Sequence, residues 1–486
     1  MLRGLLAAVA GVLTAAALGG PGAAQAAPGL VVGAVEDDVR ASSLVEAETR
    51  MTLLRVAGFR AVRVTSFWLP GQREPSAAER EVLGNVAAAA ARNGVRVFVT
   101  VMHPGSRTTP LTDEARADFA ANAAALVRAV PGVRDVVVGN EPNLNRFWLP
   151  QFNPDGSSAA PAAYLQLLAQ AYDALKAVSP GVRVYGGALS PRGADRPSGS
   201  RPTHSPTRFI QELGLAYRAS GRTAPVMDGF ALHPYTDNSS QPPATTHPST
   251  TTIAIADYDK LVALLGQAFD GTAQRGSTLP VLYGEFGVES QIPETKAGLY
   301  TGAEPQSTRP VPEDVQADYY RQALGLAFCQ PTVEAMLLFL ARDERARAGW
   351  QSGVFYVDGT AKESLPAVSE ALDRATGGSI ARCPGLRLAV QPTFLRFGTG
   401  AAARRGELRV RLRCSFDCVY LVRVERLPTH STKLVRRGRA EVGELVDVEL
   451  PFRRLAPGTY RYTLRLVHPV NPGEPTLRQS PAFRIP

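Results

Sequence analysis

Two glutamates that lie far apart in the chain each follow a short apolar run. Glu141 comes shortly after the valines of residues 136–138, and Glu285 comes shortly after residues 281–283. Hydrolysis of a glycosidic bond requires such a pair, one carboxyl group protonated to donate to the leaving oxygen and one ionised to attack the anomeric carbon. Because a glutamate at the end of a strand is common, neither position is decisive alone. The chemistry depends on whether the fold brings the two together.

Other polar side chains also occur within or just after apolar runs. They are Arg63, His103, His233 and Tyr235. An isolated histidine is more often structural than catalytic. Arg63 is different, because a buried guanidinium group requires a carboxylate partner, and Glu285 would serve.

The three tryptophans, Trp68, Trp148 and Trp350, each come just after one of the predicted strands described below. Aromatic faces pack against the apolar faces of pyranose rings, and their polar edges suit wet clefts. We therefore predict that at least two of them are sugar platforms. The alternative is ordinary loop packing, since tryptophan is usually largely buried.

Short β-type runs alternate with longer amphipathic helical runs, which is typical of a parallel sheet wrapped by helices. Eight runs predict strands: 30–35, 60–65, 95–101, 134–139, 182–188, 227–232, 281–284 and 335–340. Predicted helices between them include 77–92, 113–130, 162–178, 257–269 and 312–328. The pattern predicts an α/β fold, the (β/α)8 TIM barrel. The carboxyl-terminal ends of all eight strands surround one pocket in this fold, so Glu141 and Glu285 would face each other there.

The two ends of the chain differ from this middle part. Residues 1–26 combine an early arginine, an apolar segment and an A-x-A pattern, so we expect a signal peptide and a secreted, extracellular protein. Residues 27–380 would form the catalytic barrel. From residue 381 to 486 the pattern predicts a small all-β sandwich of immunoglobulin-like type. Its predicted strands are 386–390, 406–413, 419–425, 446–451, 458–467 and 481–485.

Four cysteines form an even set, which in an exported chain indicates disulfides. Three pairings are possible. Cys414 and Cys418 flank one short segment, while Cys329 and Cys383 lie near the ends of the last two barrel helices, so we expect these two pairs. A metal site is a weak alternative, because the sequence has no Cys-x-x-Cys motif and no histidine pair at helical spacing.

Positive charge is concentrated in the C-terminal part. The chain has a net charge of +9, and from residue 381 onward it has 20 Lys and Arg against 8 Asp and Glu. This part could bind an anionic wall polymer or acidic glycan by electrostatic attraction. The alternative, which we consider the stronger, is that the arginines keep the outer faces of the strands soluble.

The motifs taken together resemble a known family. Over roughly residues 30–375 the chain is similar to the clan A glycoside hydrolases, and most to the cellulase-type family 5. That family has an arginine on strand two, a histidine on strand three, Asn-Glu on strand four, His-x-Tyr on strand six and a glutamate on strand seven. The resemblance implies a retaining hydrolase with Glu141 as acid/base and Glu285 as nucleophile.

The resemblance also implies roles for the neighbouring residues. Asn140 would bind the sugar hydroxyl next to the anomeric carbon. Arg63 and Tyr235 would hold the nucleophile ionised and oriented. His103 and His233 would line the subsite around the scissile bond.

Strand eight departs from the family's pattern. The run 336–340 contains no tryptophan where the family stacks the sugar, and Trp350, in the loop beyond, would have to reach back into the site. The departure keeps open an alternative function: a non-catalytic glycan-binding or cell-wall-associated protein on a degenerate barrel. The intact pair of glutamates favours catalysis.

We therefore expect a glycosidase that cleaves O-glycosidic bonds of a β-linked polysaccharide or oligosaccharide by double displacement. The sequence contains no Walker loop, no G-x-S-x-G elbow and no H-E-x-x-H motif, and we expect no metal or organic cofactor. The basic C-terminal part lacks the interleaved aromatic residues of a nucleic-acid surface, so no nucleic-acid partner is expected. A monomer is the default for an exported hydrolase of this size.

Overall fold

The computed structural model describes residues 30–376, 383, 388–398, 401, 408–450, 455–469 and 472–485. Its first part is a closed barrel of eight parallel strands in sequence order, which confirms the predicted TIM barrel. The strands are β1 (Val31–Val35), β2 (Ala61–Phe67), β3 (Arg96–Met102), β4 (Asp135–Val138), β5 (Arg183–Leu189), β6 (Gly229–Leu232), β7 (Val281–Phe286) and β8 (Val333–Phe339). The predicted signal peptide, residues 1–26, lies outside the described residues.

Within the described residues, eight α-helices accompany these strands. They are α1 (Leu44–Val56), α2 (Ala77–Asn93), α3 (Asp113–Ala129), α4 (Ala160–Val178), α5 (Pro206–Ala219), α6 (Tyr258–Phe269), α7 (Glu313–Phe328) and α8 (Leu365–Thr376). Ser76 and Thr112 cap α2 and α3 by accepting backbone N–H bonds. Gly94 ends α2 at φ +63°, in the left-handed region that glycine adopts freely. Among the described helices, none is long and apolar enough to cross a membrane.

The barrel interior is closed at the amino-terminal ends of its strands. Apolar side chains such as Phe98 fill the middle of the barrel. Below them, Arg96 pairs with Asp135 at 2.5 Å, and Arg183 pairs with Glu334 at 2.6 Å. These charges satisfy one another, so the barrel is a packed core whose polar groups at this end are already used.

The C-terminal part consists of antiparallel strands arranged in two sheets, consistent with the predicted β-sandwich. The strands are β9 (Pro392–Phe397), β10 (Arg409–Cys414), β11 (Cys418–Leu427), β12 (Ser431–Ala440), β13 (Val446–Glu449), β14 (Gly458–Val467), β15 (Thr476–Gln479) and β16 (Phe483–Ile485). One sheet has the order β13-β10-β9, and the other has the order β12-β11-β14-β15 with β16 beside β14. The rings of Phe397 and Tyr462 stack between the sheets, with centroids 5.6 Å apart.

Three of these strands, β9, β12 and β15, are missing from the sequence prediction. The clearest case is β12, which carries Lys433 and three arginines and therefore shows little apolar alternation. It is an edge strand whose position comes from antiparallel pairing with β11. The strand predicted over 386–390 is wrong in the part that the structure describes, where Leu388 makes a single bridge to Pro472.

The barrel and the β-sheets share a polar contact along α6. The backbone N–H of Ala389 donates to Asp259 at 2.9 Å, and the Thr393 hydroxyl donates to Asp270 at 3.2 Å. Burial at this contact raises the pKa of Asp259 to about 6, although the Ala389 N–H works in the opposite direction. The contact therefore fixes the segment that leads out of the barrel.

Both cysteine pairs expected from the sequence are joined. Cys329, directly after α7, is bonded to Cys383, with Cα atoms 5.6 Å apart and a sequence separation of 54. Cys414 and Cys418 are bonded across the turn between β10 and β11, with a sequence separation of 4. Only the first bond closes a long loop.

We predict that loss of the Cys329–Cys383 bond destabilises the protein more than loss of the Cys414–Cys418 bond. Loop-closure entropy in the unfolded chain gives roughly 4 kcal/mol for the long loop and roughly 2 kcal/mol for the short one. Urea unfolding of the C329A/C383A and C414A/C418A variants measures both losses. A larger loss in the second variant would contradict the prediction.

Candidate active site

The two glutamates lie together at the carboxyl-terminal end of the barrel. Glu141 is the third residue after β4, and Glu285 is the penultimate residue of β7. One oxygen of each carboxylate and a ring nitrogen of His233 all lie within 4.8 Å of one another. Side chains from distant parts of the chain therefore face one pocket.

Glu285 is held by two donors from neighbouring strands. The guanidinium group of Arg63, on β2, bonds one carboxylate oxygen, and the Tyr235 hydroxyl donates to the other at 2.9 Å. Burial by itself raises the pKa of Glu285, whose side chain is only 11% exposed. The charges of His233 and Arg63 and the two direct hydrogen bonds outweigh burial and lower this pKa below its usual value of 4.5.

Glu141 adopts an uncommon backbone conformation. Its φ of +40° lies in the left-handed region, where few residues other than glycine are found. Its N–H donates to the carbonyl of Ala188 on β5 at 2.8 Å, and the buried Asn143 side chain bonds both the N–H and the carbonyl of Ser190. Such a conformation persists only where its surroundings enforce it, and here it accompanies a carboxylate at the mouth of the barrel.

His233 connects the two carboxylates. Its Nδ1 lies 3.1 Å from Glu141 and 3.6 Å from Glu285, and its Nε2 lies 3.4 Å from Arg63. Arginine can only donate, so Nε2 accepts and the ring hydrogen of the neutral imidazole is on Nδ1, facing the carboxylates. The guanidinium group is therefore the permanent positive charge beside Glu285, and the ring of His233 adds positive charge only when it is protonated. A Cβ at Gly284 would lie 3.2 Å from the His233 ring, so glycine permits this approach.

The same three side chains also have the spacing of metal ligands. However, Arg63 already bonds Glu285 and contacts His233. A divalent cation among these atoms would lie beside a fixed positive charge in a poorly solvated site, which opposes its binding. The arrangement suits proton transfer and nucleophilic attack better than metal binding.

A cavity of about 840 Å³ opens above the pair. Its lining includes polar residues that follow β1 and β8, among them Glu36, Arg342 and Glu344. It also includes the aromatic residues Phe67 and Phe147. A cavity of this size is suited to a ligand of several sugar rings or a similar bulk.

Trp350 lies in the cavity wall, half-buried. Its ring centroid is 5.0 Å from that of Tyr235 and 5.3 Å from that of Phe339, at the end of β8. The loop residue thus reaches back to the place where strand eight lacks a tryptophan. A buried pair positions this loop: the Lys362 amino group lies 2.8 Å from Asp343 and donates to the Gln351 carbonyl at 2.9 Å.

Trp68 and Trp148 are placed differently, and the platform role predicted for them does not fit the structure. Both are almost completely buried and absent from the cavity lining. Trp68 packs edge-on against Phe119, and its ring N–H donates to the Gln72 carbonyl. These two tryptophans support the loops behind the site.

Two further residues predicted for the site, Asn140 and His103, also differ in whether they line the cavity. Asn140 lines the cavity beside Glu141. His103 is buried against the ring of Trp148, its Nδ1 lies 2.9 Å from the carbonyl of Gly105, and burial lowers its pKa. His103 is outside the cavity lining, so it does not form the subsite wall that the resemblance implied.

Glu36 is a cavity residue that the sequence analysis missed. It directly follows β1 and accepts bonds from the backbone N–H groups of Asp38 and Arg342. Burial raises its pKa to about 7, with the Arg342 N–H acting in the opposite direction. The signal was available, because Glu36, like Glu141, comes shortly after an apolar run.

The sequence matches no protein-family model, and comparison with curated proteins gives no match. Among solved structures, the GH5_18 protein of Streptomyces cattleya in complex with GlcNAc is similar at a TM-score of 0.49 and 16% identity, over 71% of this chain and 80% of that chain.

Two further structures are similar over smaller shares of their own length. Bacteroides uniformis beta-glucuronidase 2, covalently bound to cyclophellitol-6-carboxylate aziridine, gives a TM-score of 0.46 at 11% identity, over 94% of this chain and 46% of that chain. The exo-beta-1,4-mannosidase Op5Man5 of Opitutaceae bacterium strain TAV5 gives 0.44 at 18% identity, over 71% and 60%. The chemistry of this chain is therefore inferred from its own side chains.

We predict that Arg63→Met raises the pKa of Glu285. Without the guanidinium group, burial becomes the dominant influence, and the carboxylate protonates at a higher pH than in the unchanged protein. Titration of ¹³C-labelled glutamate by NMR, with the Glu285 signal assigned from Glu285→Gln, measures the change. Arg92→Met, on the exposed end of α2, is the control. An unchanged Glu285 titration in Arg63→Met would contradict the assignment.

Proposed function

We propose that this protein is a retaining glycoside hydrolase with Glu285 as nucleophile and Glu141 as acid/base. The observation that carries the proposal is the asymmetry of the pair: Glu285 is bonded to a guanidinium group, and Glu141, within the described residues, is not. The nearest oxygens of the two lie within 4.8 Å. Retaining enzymes place their carboxyl groups about 5–5.5 Å apart and inverting enzymes about 6.5–9.5 Å apart, so the spacing supports retention.

In the first step, Glu285 attacks the anomeric carbon while Glu141 gives its proton to the leaving oxygen. A single proton belongs on Glu141, because protonation of Glu285 would break its ion pair with Arg63. The glycosidic C–O bond breaks and a glycosyl ester of Glu285 forms. The His233 Nδ1–H, 3.1 Å from Glu141, orients that carboxyl group.

In the second step, Glu141, now ionised, takes a proton from a water molecule that attacks the anomeric carbon. The ester bond breaks, the Glu285 carboxylate leaves, and the sugar is released with its original configuration. Arg63 and Tyr235 assist this departure because they bond the carboxylate that reappears.

The cavity supports a sugar as the ligand. Trp350 offers a half-exposed aromatic face beside the pair, and Asn140 offers an amide for the hydroxyl next to the anomeric carbon. Glu36 and Glu344, which also line the cavity, can accept bonds from further hydroxyl groups. The substrate is a β-linked polysaccharide or oligosaccharide.

The protein acts outside the cell, as a monomer and without a cofactor. Support for the location comes from the signal-like pattern of residues 1–26 and from the two disulfide bonds, which persist in oxidising compartments. The chemistry described uses only the side chains of the chain itself.

We predict that Glu141→Ala and Glu285→Ala each lose hydrolysis of an activated aryl glycoside, by about 10²- to 10⁴-fold for the acid/base. Azide should partly restore both variants. It should give a glycosyl azide of retained configuration with Glu141→Ala and of inverted configuration with Glu285→Ala, because it replaces water in one and the nucleophile in the other. Proton NMR of the products measures this.

Glu81→Ala, on the outer surface of α2, is the control and should keep full activity. Full activity in either active-site variant would contradict the proposal. Binding of glycans by the unchanged protein, with no product from a broad panel of polysaccharides and aryl glycosides, would favour the non-catalytic alternative.

We also predict that Trp350→Ala weakens oligosaccharide binding by about 3- to 10-fold, because the aromatic face is lost from the cavity. Trp68→Ala should instead lower the free energy of unfolding by about 3–5 kcal/mol and leave the KM of the folded enzyme unchanged. Steady-state kinetics and urea unfolding separate the two effects. A raised KM in Trp68→Ala with no loss of stability would reverse the assignment.

A further inference from the structure

The sheet formed by β12, β11, β14 and β15 presents an outer face rich in arginine. Antiparallel register aligns Arg437 of β12, Leu421 of β11 and Arg465 of β14 in one row across the sheet. Arg439 lies on the same face two residues along β12, and Arg423 lies two residues along β11. We call these four exposed arginines the arginine face.

None of the four arginines pairs with a carboxylate among the described residues. The opposing sheet provides the contrast, because there Arg409 faces Glu449 at 3.0 Å and Arg411 faces Asp447 at 3.7 Å. Surfaces that only confer solubility usually mix both signs of charge. The four arginines of the first sheet have no such carboxylate facing them, and the acidic residue in these strands, Glu425, is buried opposite Arg461.

Protection of a sheet edge does not account for this pattern. Edge strands often carry cationic side chains that prevent pairing with other chains, and this explains those of β12. However, Arg423 and Arg465 lie on β11 and β14, which have a partner strand on each side. Their charge needs another explanation.

Apolar side chains lie between the arginines on the same face. Val435 is 55% exposed and Leu477 is 58% exposed, and Leu421 lies directly between Arg437 and Arg465. Neighbouring strands are about 4.8 Å apart, so two arginines flanking one strand are roughly 10 Å apart across an apolar strip. The face thus offers separated cationic contacts around a flat apolar surface.

We propose that the arginine face binds an acidic polysaccharide through its carboxylate groups. Guanidinium groups match carboxylates in a planar, two-bond geometry, and the apolar strip can pack against the C–H faces of sugar rings. The face carries no aromatic residue in β11, β12, β14 or β15 on which bases could stack, which argues against a single-stranded nucleic acid. The choice of a glycan rests on the proposed function, whereas the charge of the face does not.

The test compares two matched pairs of substitutions in the full-length protein. R437Q/R439Q removes two charges from the arginine face. R409Q/R411Q removes two charges from β10, in the other sheet of the C-terminal part. Binding to immobilised polygalacturonate is measured at 0.05 M and 0.5 M salt, with neutral dextran as the uncharged probe. R423Q/R437Q/R439Q/R465Q completes the series.

We expect the unchanged protein to bind polygalacturonate and not dextran, and to lose binding at the higher salt concentration. Each exposed contact contributes about a two- to five-fold factor in affinity. The quadruple variant R423Q/R437Q/R439Q/R465Q should therefore bind polygalacturonate at least roughly 15-fold more weakly. R437Q/R439Q should lose more than R409Q/R411Q. Equal losses in the two pairs, binding to dextran, or tighter binding to double-stranded DNA than to polygalacturonate would overturn the proposal.

Hydrolysis of a soluble aryl glycoside is measured in every variant. It reports on folding and on the barrel site, and it should be the same in all of them. Lost polygalacturonate binding with unchanged hydrolysis supports the arginine face. An unchanged protein that binds polygalacturonate but shows no hydrolysis would refute the proposed function and leave this inference standing.

Discussion

The charge balance at the mouth of the barrel depends on the buried contact between Arg63 and Glu285. Removing both ions from water is costly, and only close pairing with further hydrogen bonds offsets this cost. Tyr235 supplies one such bond, and His233 reaches from the guanidinium group to Glu141. Without the guanidinium group, burial would raise the pKa of Glu285, and the two carboxyl groups would be less distinct.

The two ends of the barrel use similar residues with different results. At the amino-terminal end, Arg96 and Arg183 each bond a carboxylate, and the charges neutralise one another inside a closed interior. At the other end, Glu141 faces an open cavity and lies 3.1 Å from the His233 ring nitrogen. A carboxyl group can take part in chemistry when two conditions hold. Its hydrogen-bond partner must allow the carboxyl group to gain and lose a proton, and a ligand must be able to reach it.

The surface of the C-terminal part also contrasts charges that have a partner with charges that do not. Arginines that face carboxylates across β10 and β13 are neutralised, while the four of the arginine face have no carboxylate partner in the part of the chain that the structure describes. The protein thus combines a cavity, in which a small number of charges balance one another, with a broad face that leaves the positive charge of four arginines exposed. The first suits bond cleavage, and the second suits retention on a polymer.

The sequence alone determined the barrel, both glutamates and the partnership of Arg63 with Glu285, because alternating strands and helices leave one arrangement in which all strand ends meet. Only the tertiary structure distinguished the tryptophans. Trp68, Trp148 and Trp350 have the same local signal, a position just beyond a strand, but burial depends on which helices and loops pack over each. The left-handed backbone of Glu141, the hydrogen on His233 Nδ1 and the unpaired arginine face were likewise decided by contacts between segments distant in the chain, which no local pattern encodes.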